Sequence, residues 1–239
     1  MKDPCTPEHN RLLAALSPDI KKRIYPSLRR VDLALGEVIH EADQHISEIY
    51  FPVDCIISLL SITEAGESAE ICLVGNEGFM GTAVMMGDDR TSSRAIVQSA
   101  GLAYALPASE LKREFDQESG LRALILRYMQ ALTLQMMQTA VCNRHHSISE
   151  QLCRWLLLSL DRLPSNELCM TQALIASMLG VRREGVTEAA RKLRKLGVID
   201  YHRGRIIVRD RKRLEQMCCE CYSVVRRQTD RLYQSENKH

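Results

Sequence analysis

The residues whose types and spacing could do chemistry cluster late in the chain. Arg182, Arg183, Glu184, Thr187, Glu188 and Arg191 fall on one side of a helical spacing, and Val186, Ala189, Ala190 and Leu193 fall on the other. An exposed row of guanidinium and carboxylate groups suits the edges of base pairs. Arg can donate to guanine O6 and N7 together, and Glu can accept from cytosine N4. Thr171 and Gln172 lie just upstream, and Arg203 and Arg205 just downstream, where contacts to backbone phosphate would position the row without reading sequence. From Arg182 to Arg213 there are twelve Lys/Arg and four acids, a surplus of eight charges; with a net charge of +2 overall, the rest of the chain carries −6. A basic block in an acidic protein is the electrostatic footprint of a module that meets polyphosphate. A merely solvated surface would carry the same charge, so the pattern inside the block has to decide.

That pattern requires two helices held at a steep angle. Thr171 can cap the first, along which Leu174, Ile175, Met178 and Leu179 recur at helical spacing. Gly180 supplies the positive φ that lets the chain leave one helix for the next. Ala176, four residues before Gly180, is small enough for the helices to cross in contact, and Val186, six after it, plugs the gap. Two short β-prone runs follow, Val198-Ile199-Asp200-Tyr201 and Arg205-Ile206-Ile207-Val208, joined through His202-Arg203-Gly204 as a hairpin.

Residues 170–208 resemble the winged helix-turn-helix of the Crp/Fnr superfamily, the relatives of the cyclic-AMP receptor and the fumarate-nitrate regulator. The resemblance implies a DNA-binding transcription regulator. It places Arg183 and Glu184 on the Arg-Glu pair of the family's recognition helix, and Gln172 where the family often contacts phosphate. Arg182 stands in place of a Ser or Thr cap. Glu188 replaces a second Arg of the cyclic-AMP receptor, and an acid there cannot read guanine as Arg does, which puts the operator sequence in doubt.

Upstream, from about Leu28 to Pro107, short apolar runs alternate with turns: 38–40, 48–51, 55–60, 69–74, 94–97 and 102–106. This region resembles the superfamily's double-stranded β-roll, with Leu35-Gly36-Glu37-Val38-Ile39 like its first turn and Ser47-Glu48-Ile49-Tyr50-Phe51 like the following strand pair. The fold class is therefore α+β, with an N-terminal cyclic-nucleotide-binding-like roll (1–118), a dimerisation helix (119–146), a winged helix-turn-helix (147–222) and a polar tail (223–239). The candidate effector pocket is Gly81, Thr82, Ser92, Ser93 and Arg94. Cyclic-nucleotide binders of the family carry a Glu where Thr82 stands, and an Arg-Ser pair where Ser93 and Arg94 stand in reversed order. A one-residue shift on a strand turns a side chain to the opposite face, so cyclic AMP is not the expected effector.

Between the two regions, Leu121, Ile125, Tyr128, Leu132, Gln135, Thr139 and Cys142 alternate at spacings of four and three, which reads as a coiled-coil seam between two protomers. A helix packed on its own domain would give the same pattern. Ser147-Ile148-Ser149-Glu150 marks the start of the next helix, about Gln151 to Leu163, and Pro164-Ser165-Asn166 its end. A homodimer would suit a palindromic operator of duplex DNA, and RNA polymerase is a further partner that the resemblance leaves open.

Composition excludes several classes. Hydrophobic residues make up 45% and charged residues 26% of 239 positions, ordinary for a globular protein, and no stretch reaches the roughly 20 apolar residues of a membrane span. Met1-Lys2-Asp3-Pro4 does not open a signal peptide, so a cytoplasmic location is expected and the nine Cys read as thiols. Cys218, Cys219 and Cys221 are dense, but no fourth Cys is near in sequence; thiols packed against the winged domain are the blander account beside redox or metal chemistry. The iron–sulfur arrangement of some relatives needs several Cys near the N-terminus, where only Cys5 occurs. His9, His40, His45, His145, His146, His202 and His239 show no metal-ligand spacing, so no metal or cofactor is expected, and the Met residues read as core. No paired acids, nucleophile–base arrangement or phosphate-cradling loop points to an enzyme. The competing reading, a β-roll that binds a small molecule or responds to redox with an interacting helical end, leaves the basic helix unexplained.

Overall fold

The computed structural model describes residues 6–234. Cys5, His239 and the opening Met1-Lys2-Asp3-Pro4 lie outside them. Two short helices, α1 (Arg11–Ala14) and α2 (Pro18–Ile24), lead into seven strands. These are β1 (Arg29–Leu33), β2 (Val38–His40), β3 (Glu48–Pro52), β4 (Ile56–Ile62), β5 (Ser68–Val74), β6 (Arg94–Ser99) and β7 (Gly101–Pro107). They form two antiparallel sheets, ordered β1-β7-β3 and β2-β6-β4-β5. Helices α3 (Ala108–Gln117), α4 (Ser119–His145) and α5 (Ile148–Leu160) follow. After them come β8 (Glu167–Cys169), α6 (Gln172–Leu179), α7 (Arg183–Lys195), β9 (Ile199–His202), β10 (Arg205–Val208), α8 (Arg211–Gln216) and α9 (Glu220–Leu232). The third sheet is β8-β10-β9. None of the described helices is long and apolar enough to cross a membrane.

All six strands expected in the first half are present. The reading missed β1, whose edge position leaves most of it exposed, and β8, a three-residue strand beside the wing. On β6, Ala95 and Val97 point into the roll, while Ile96 points the other way, into a second core that belongs to the helical end. The roll is filled by aliphatic side chains and a run of rings: Phe51 to Phe79 at 5.7 Å between centroids, then Phe79 to Tyr128 of α4 at 5.2 Å.

The two cores meet along α5. Its apolar residues, with Trp155, Leu156 and Leu157 fully buried, pack with Ile56 and Leu60 of β4 and Leu73 of β5. Ser147 and Glu150 form the capping box that starts this helix, as the sequence suggests. A buried polar chain also crosses the junction. Glu70 lies 2.6 Å from Ser58 Oγ, Ser58 donates to Gln98 Oε1 at 2.7 Å, and Gln98 Nε2 donates to Ser159 of α5 at 2.9 Å. Ser58 has one proton to give, so with the amide in this orientation the chain balances when Glu70 is protonated. Burial raises the Glu70 pKa above its ordinary 4.5, in the same direction.

The turn Gly75-Asn76-Glu77-Gly78 gathers five elements. Glu77 and Arg162 form a buried ion pair at 2.7 Å, Gly75 N–H donates to the second Glu77 oxygen, and Arg162 also donates to the Leu158 carbonyl. Asn10 donates to the carbonyls of Pro52 and Gly78, and Tyr233, just past α9, donates to the Glu77 carbonyl. Gly78 lets the Tyr128 ring lie against the backbone: a Cβ there would come within 1.9 Å of it. Gly75 does the same for Arg162, whose side chain would meet a Cβ at 2.7 Å.

The structure corrects two readings of the helices. Leu121, Ile125, Tyr128, Leu132, Gln135, Thr139 and Cys142 are all buried within the single chain, so they are not an open seam. The first four belong to the roll's core, and Gln135 donates to the Leu73 carbonyl at 3.0 Å. The tail expected from 223 is, through Leu232, the helix α9, which runs back along α4 with Tyr222, Val225 and Leu232 buried. The apolar residues that α4 leaves exposed lie on another face: Leu126 (51% exposed), Met137 (59%) and Val141 (44%).

Removing one partner of a buried ion pair strands the other charge. Glu77→Ala should therefore cost about 3–5 kcal/mol in chemical denaturation, with Glu77→Ala/Arg162→Met recovering part of it. A loss below about 1 kcal/mol would mean the pair is solvated. For Glu70 the raised pKa gives stability that is present below 4.5 and lost as pH rises through the folded value. Glu70→Gln should abolish that loss, flattening the midpoint-against-pH curve on the alkaline side. An unchanged slope would show that the acid is already ionised.

Candidate nucleic-acid interface

Local sequence builds the helix pair as expected. Thr171 accepts from the Leu174 N–H at 3.2 Å and caps α6, which ends at Gly180 with φ +64°. Ala176 and Val186 are buried where α6 and α7 cross, and Ala189, Ala190 and Leu193 complete the inward stripe of α7. Arg182, Arg183, Glu184, Thr187, Glu188 and Arg191 lie on the outer side. With Gln172 of α6, all of these but Arg182 line a shallow groove of about 600 Å³. Thr187 Oγ1 lies 2.8 Å from the Gln172 side-chain amide and 3.0 Å from the Arg183 carbonyl, which holds Gln172 beside the start of α7.

Arg182 sits at the N-cap of α7, with no side chain capping the helix. The first N–H groups of α7 are thus open on the same side as its arginines, an arrangement that favours an anion. In the wing, β9 and β10 pair with His202 opposite Arg205, leaving Arg203-Gly204 as a two-residue turn with φ +48° and +78°. Two positive φ values are the signature of the I′ turn that suits a hairpin's twist. Arg203 projects from this tip, exposed.

The basic block divides into two groups. Arg205 is paired with Glu167 of β8, Arg209 with Asp200, and Arg211 with Asp161 and Glu215. Arg182, Arg183, Arg191 and Arg203 form no ion pair among the described residues. Lys192, Arg194 and Lys195 of α7 and Lys212 and Arg213 of α8 likewise form no ion pair among the described residues, so the cations on α7, at its start and at the wing tip are open to a polyanion. Arg205, grouped with them on sequence, is already engaged, because β8 brings an acid across the sheet that the sequence reading did not place.

In the roll, Gly81 (φ +111°) opens a 3₁₀ turn, Thr82–Met86. Ser92 is exposed, and Ser93 N–H donates to Thr91 Oγ1. Arg94 precedes inward-facing Ala95, lies on the opposite face and bonds Glu41 at 3.0 Å. Inside the roll His40 is buried with Nε2 unpartnered, and burial lowers its pKa from the usual 6.5. Of the cysteines expected to pack against the winged domain, Cys218 does pack against that core, while Cys219 and Cys221 meet the end of α4 beside Cys142 and His146. The missed signal is the Cys142-x₃-His146 spacing, one helical turn, on a segment read only for its apolar stripe.

Two family models match the chain and together span well over half of it. A cyclic nucleotide-binding domain matches residues 30–118, and a Crp-like helix-turn-helix domain matches residues 150–217. No curated protein sequence matches. Solved structures do. A chain from Eubacterium rectale attributed to the crp/fnr family superposes with a TM-score of 0.68 at 19% identity, covering 88% of this chain and 98% of that one. FixK2 from Bradyrhizobium japonicum gives 0.65 at 16%, covering 80% and 98%. A CRP-family transcriptional regulator from Thermus thermophilus gives 0.65 at 17%, covering 79% and 95%. A roll matched by the first model, a helix-turn-helix matched by the second and α4 between them identify this chain as a member of the Crp/Fnr superfamily of transcription regulators.

Proposed function

We propose that the chain is a sequence-specific regulator that acts as a homodimer on an inverted repeat and does not use cyclic AMP as its effector. The observation that carries the reading is the row of unpaired Arg and acid side chains on the exposed face of α7. In this reading Arg183 and Glu184 read base edges, Thr187, Glu188 and Arg191 complete the row, and Thr171, Gln172, Arg182 and Arg203 hold phosphate. Arg205 contributes only if DNA displaces Glu167. Residues 1–118 act as the sensor, 119–146 as the joining helix and 147–222 as the DNA-binding head, with α9 returning from the head to the sensor.

Dimerisation is assigned to the face of α4 that this chain leaves uncovered. Leu126, Thr133, Met137 and Val141 run along it at helical spacing, so a second copy could bury the exposed apolar residues. The absence of a carboxylate at Thr82 and the pairing of Arg94 with Glu41 on the outside of the roll argue against a cyclic nucleotide phosphate in the roll.

Selection of duplex DNA by the purified protein without ligand should return an inverted repeat. Arg183→Ala should cost about 1–3 kcal/mol and relax one base position in each half-site. Equal weakening on every sequence would reassign Arg183 to phosphate, and no recovered motif would sink the ligand-free reading. Leu126→Glu/Met137→Glu should convert the dimer to monomer in sedimentation and lower affinity for the full repeat by about 10²-fold through lost bivalency. A dimer that survives both changes would place the interface elsewhere.

A further inference from the structure

Four side chains from the two ends of the DNA-binding head converge beside it. Cys142 and His146 stand one turn apart at the end of α4, and Cys219 and Cys221 lie at the N-cap and in the first turn of α9. Their ligand atoms all lie within 4.8 Å of one another, and the three thiols are buried. Cys142 Sγ is 3.6 Å from Cys219 Sγ, and Cys221 Sγ is 3.6 Å from His146 Nδ1. A disulfide would need sulfurs about 2.05 Å apart. Around tetrahedral zinc, bonds of about 2.3 Å to sulfur and about 2.0–2.1 Å to nitrogen place ligands about 3.8 Å (S to S) and about 3.6 Å (S to N) apart. The two separations of 3.6 Å match edges of such a tetrahedron, and the remaining ones are all within 4.8 Å. An iron–sulfur cluster, with irons and sulfides between the thiolates, needs more room.

The surroundings fit the same ion. The other ring nitrogen of His146, Nε2, lies 3.5 Å from Glu220 Oε2, the carboxylate–histidine pairing that orients a metal-bound imidazole. Gln151 Nε2 donates to the His146 carbonyl at 2.9 Å and reaches the Cys142 carbonyl at 3.5 Å, bracing the backbone that carries both ligands. Zinc with three thiolates and one neutral imidazole keeps one negative charge, which is costly in a buried place without a counter-charge. Arg154 supplies one: it is 3% exposed, makes no ion pair among the described residues, has Nε unpartnered, and its charge acts on Cys142 and Cys221. It is held toward the cluster by donating to Thr139 Oγ1, one turn before Cys142.

We propose that Cys142, His146, Cys219 and Cys221 bind one zinc ion, which clasps the end of α4 to the start of α9. Four protein ligands leave no open position, so the ion is structural and not catalytic. Because the ligands bracket residues 147–218, the clasp fixes both ends of the head against the joining helix. Cys218, half-exposed beside Cys219, lies outside the set.

The test is metal and acid-labile sulfide content of the full-length protein, purified reduced and equilibrated with zinc, then with Co(II) in its place. One zinc per chain without sulfide is expected, and the cobalt form should show thiolate charge transfer and the strong visible bands of a tetrahedral site. Cys142→Ser and His146→Ala should lose the ion, Glu220→Gln should weaken its binding about 10–100-fold, and Cys218→Ser should keep it. Iron with stoichiometric sulfide, failure of the reduced protein to take up either metal, or loss of the ion in Cys218→Ser with retention in Cys142→Ser would each overturn the proposal. The cobalt spectrum of the unsubstituted chain decides the matter even if a variant fails to fold.

Discussion

The pairing of Glu77 with Arg162 is the interaction around which the two halves of the molecule are arranged. Both groups have given up most of their water, so each depends on the other for the solvation it lost. The acid sits on a turn of the roll and the guanidinium just past the end of α5, so the pair holds the head against the roll. The same turn receives Asn10, Tyr128 and Tyr233, which means that the roll, α4, α9 and the head share one reference point. A ligand or modification that moved this turn would be felt in all of them.

The helix-turn-helix was legible in the sequence because its determinants are local. A cap at Thr171, a left-handed residue at Gly180 and a plug at Val186 act over a few positions, and the structure uses each as its spacing implies. The α4 stripe was legible as a buried face but not as an interface: periodicity says that Leu121, Ile125 and Leu132 are covered, not by what. Their cover is the roll and α9. That helix escaped notice because Tyr222, Val225 and Leu232 are sparse among charged residues, and only its docking on α4 gives the spacing meaning. The Cys142–Cys219 approach joins positions 77 residues apart, beyond any local pattern.

Charge shows the same division between local and distant information. The surplus of the basic block was countable from sequence, but the sorting of its arginines into paired and unpaired ones was not. Glu167 reaches Arg205 only through β8, and Asp161 reaches Arg211 only because α8 packs on α5. Pairing withdraws Arg205, Arg209 and Arg211 from the block and leaves the cations of α7 and the wing tip, with Lys212 and Arg213 of α8, without an ion pair among the described residues.

The return of α9 along α4 makes the head an insertion between two helices that belong together. During synthesis the chain emerges from its N-terminal end, so α9 comes last. Both halves wait for it: Tyr222 and Val225 pack in the core that the head shares with Ile56, Leu60 and Leu73, while Leu232 belongs to the core of the roll and Tyr233 bonds its turn. The part of the protein that is made first is thus completed only by the part that is made last.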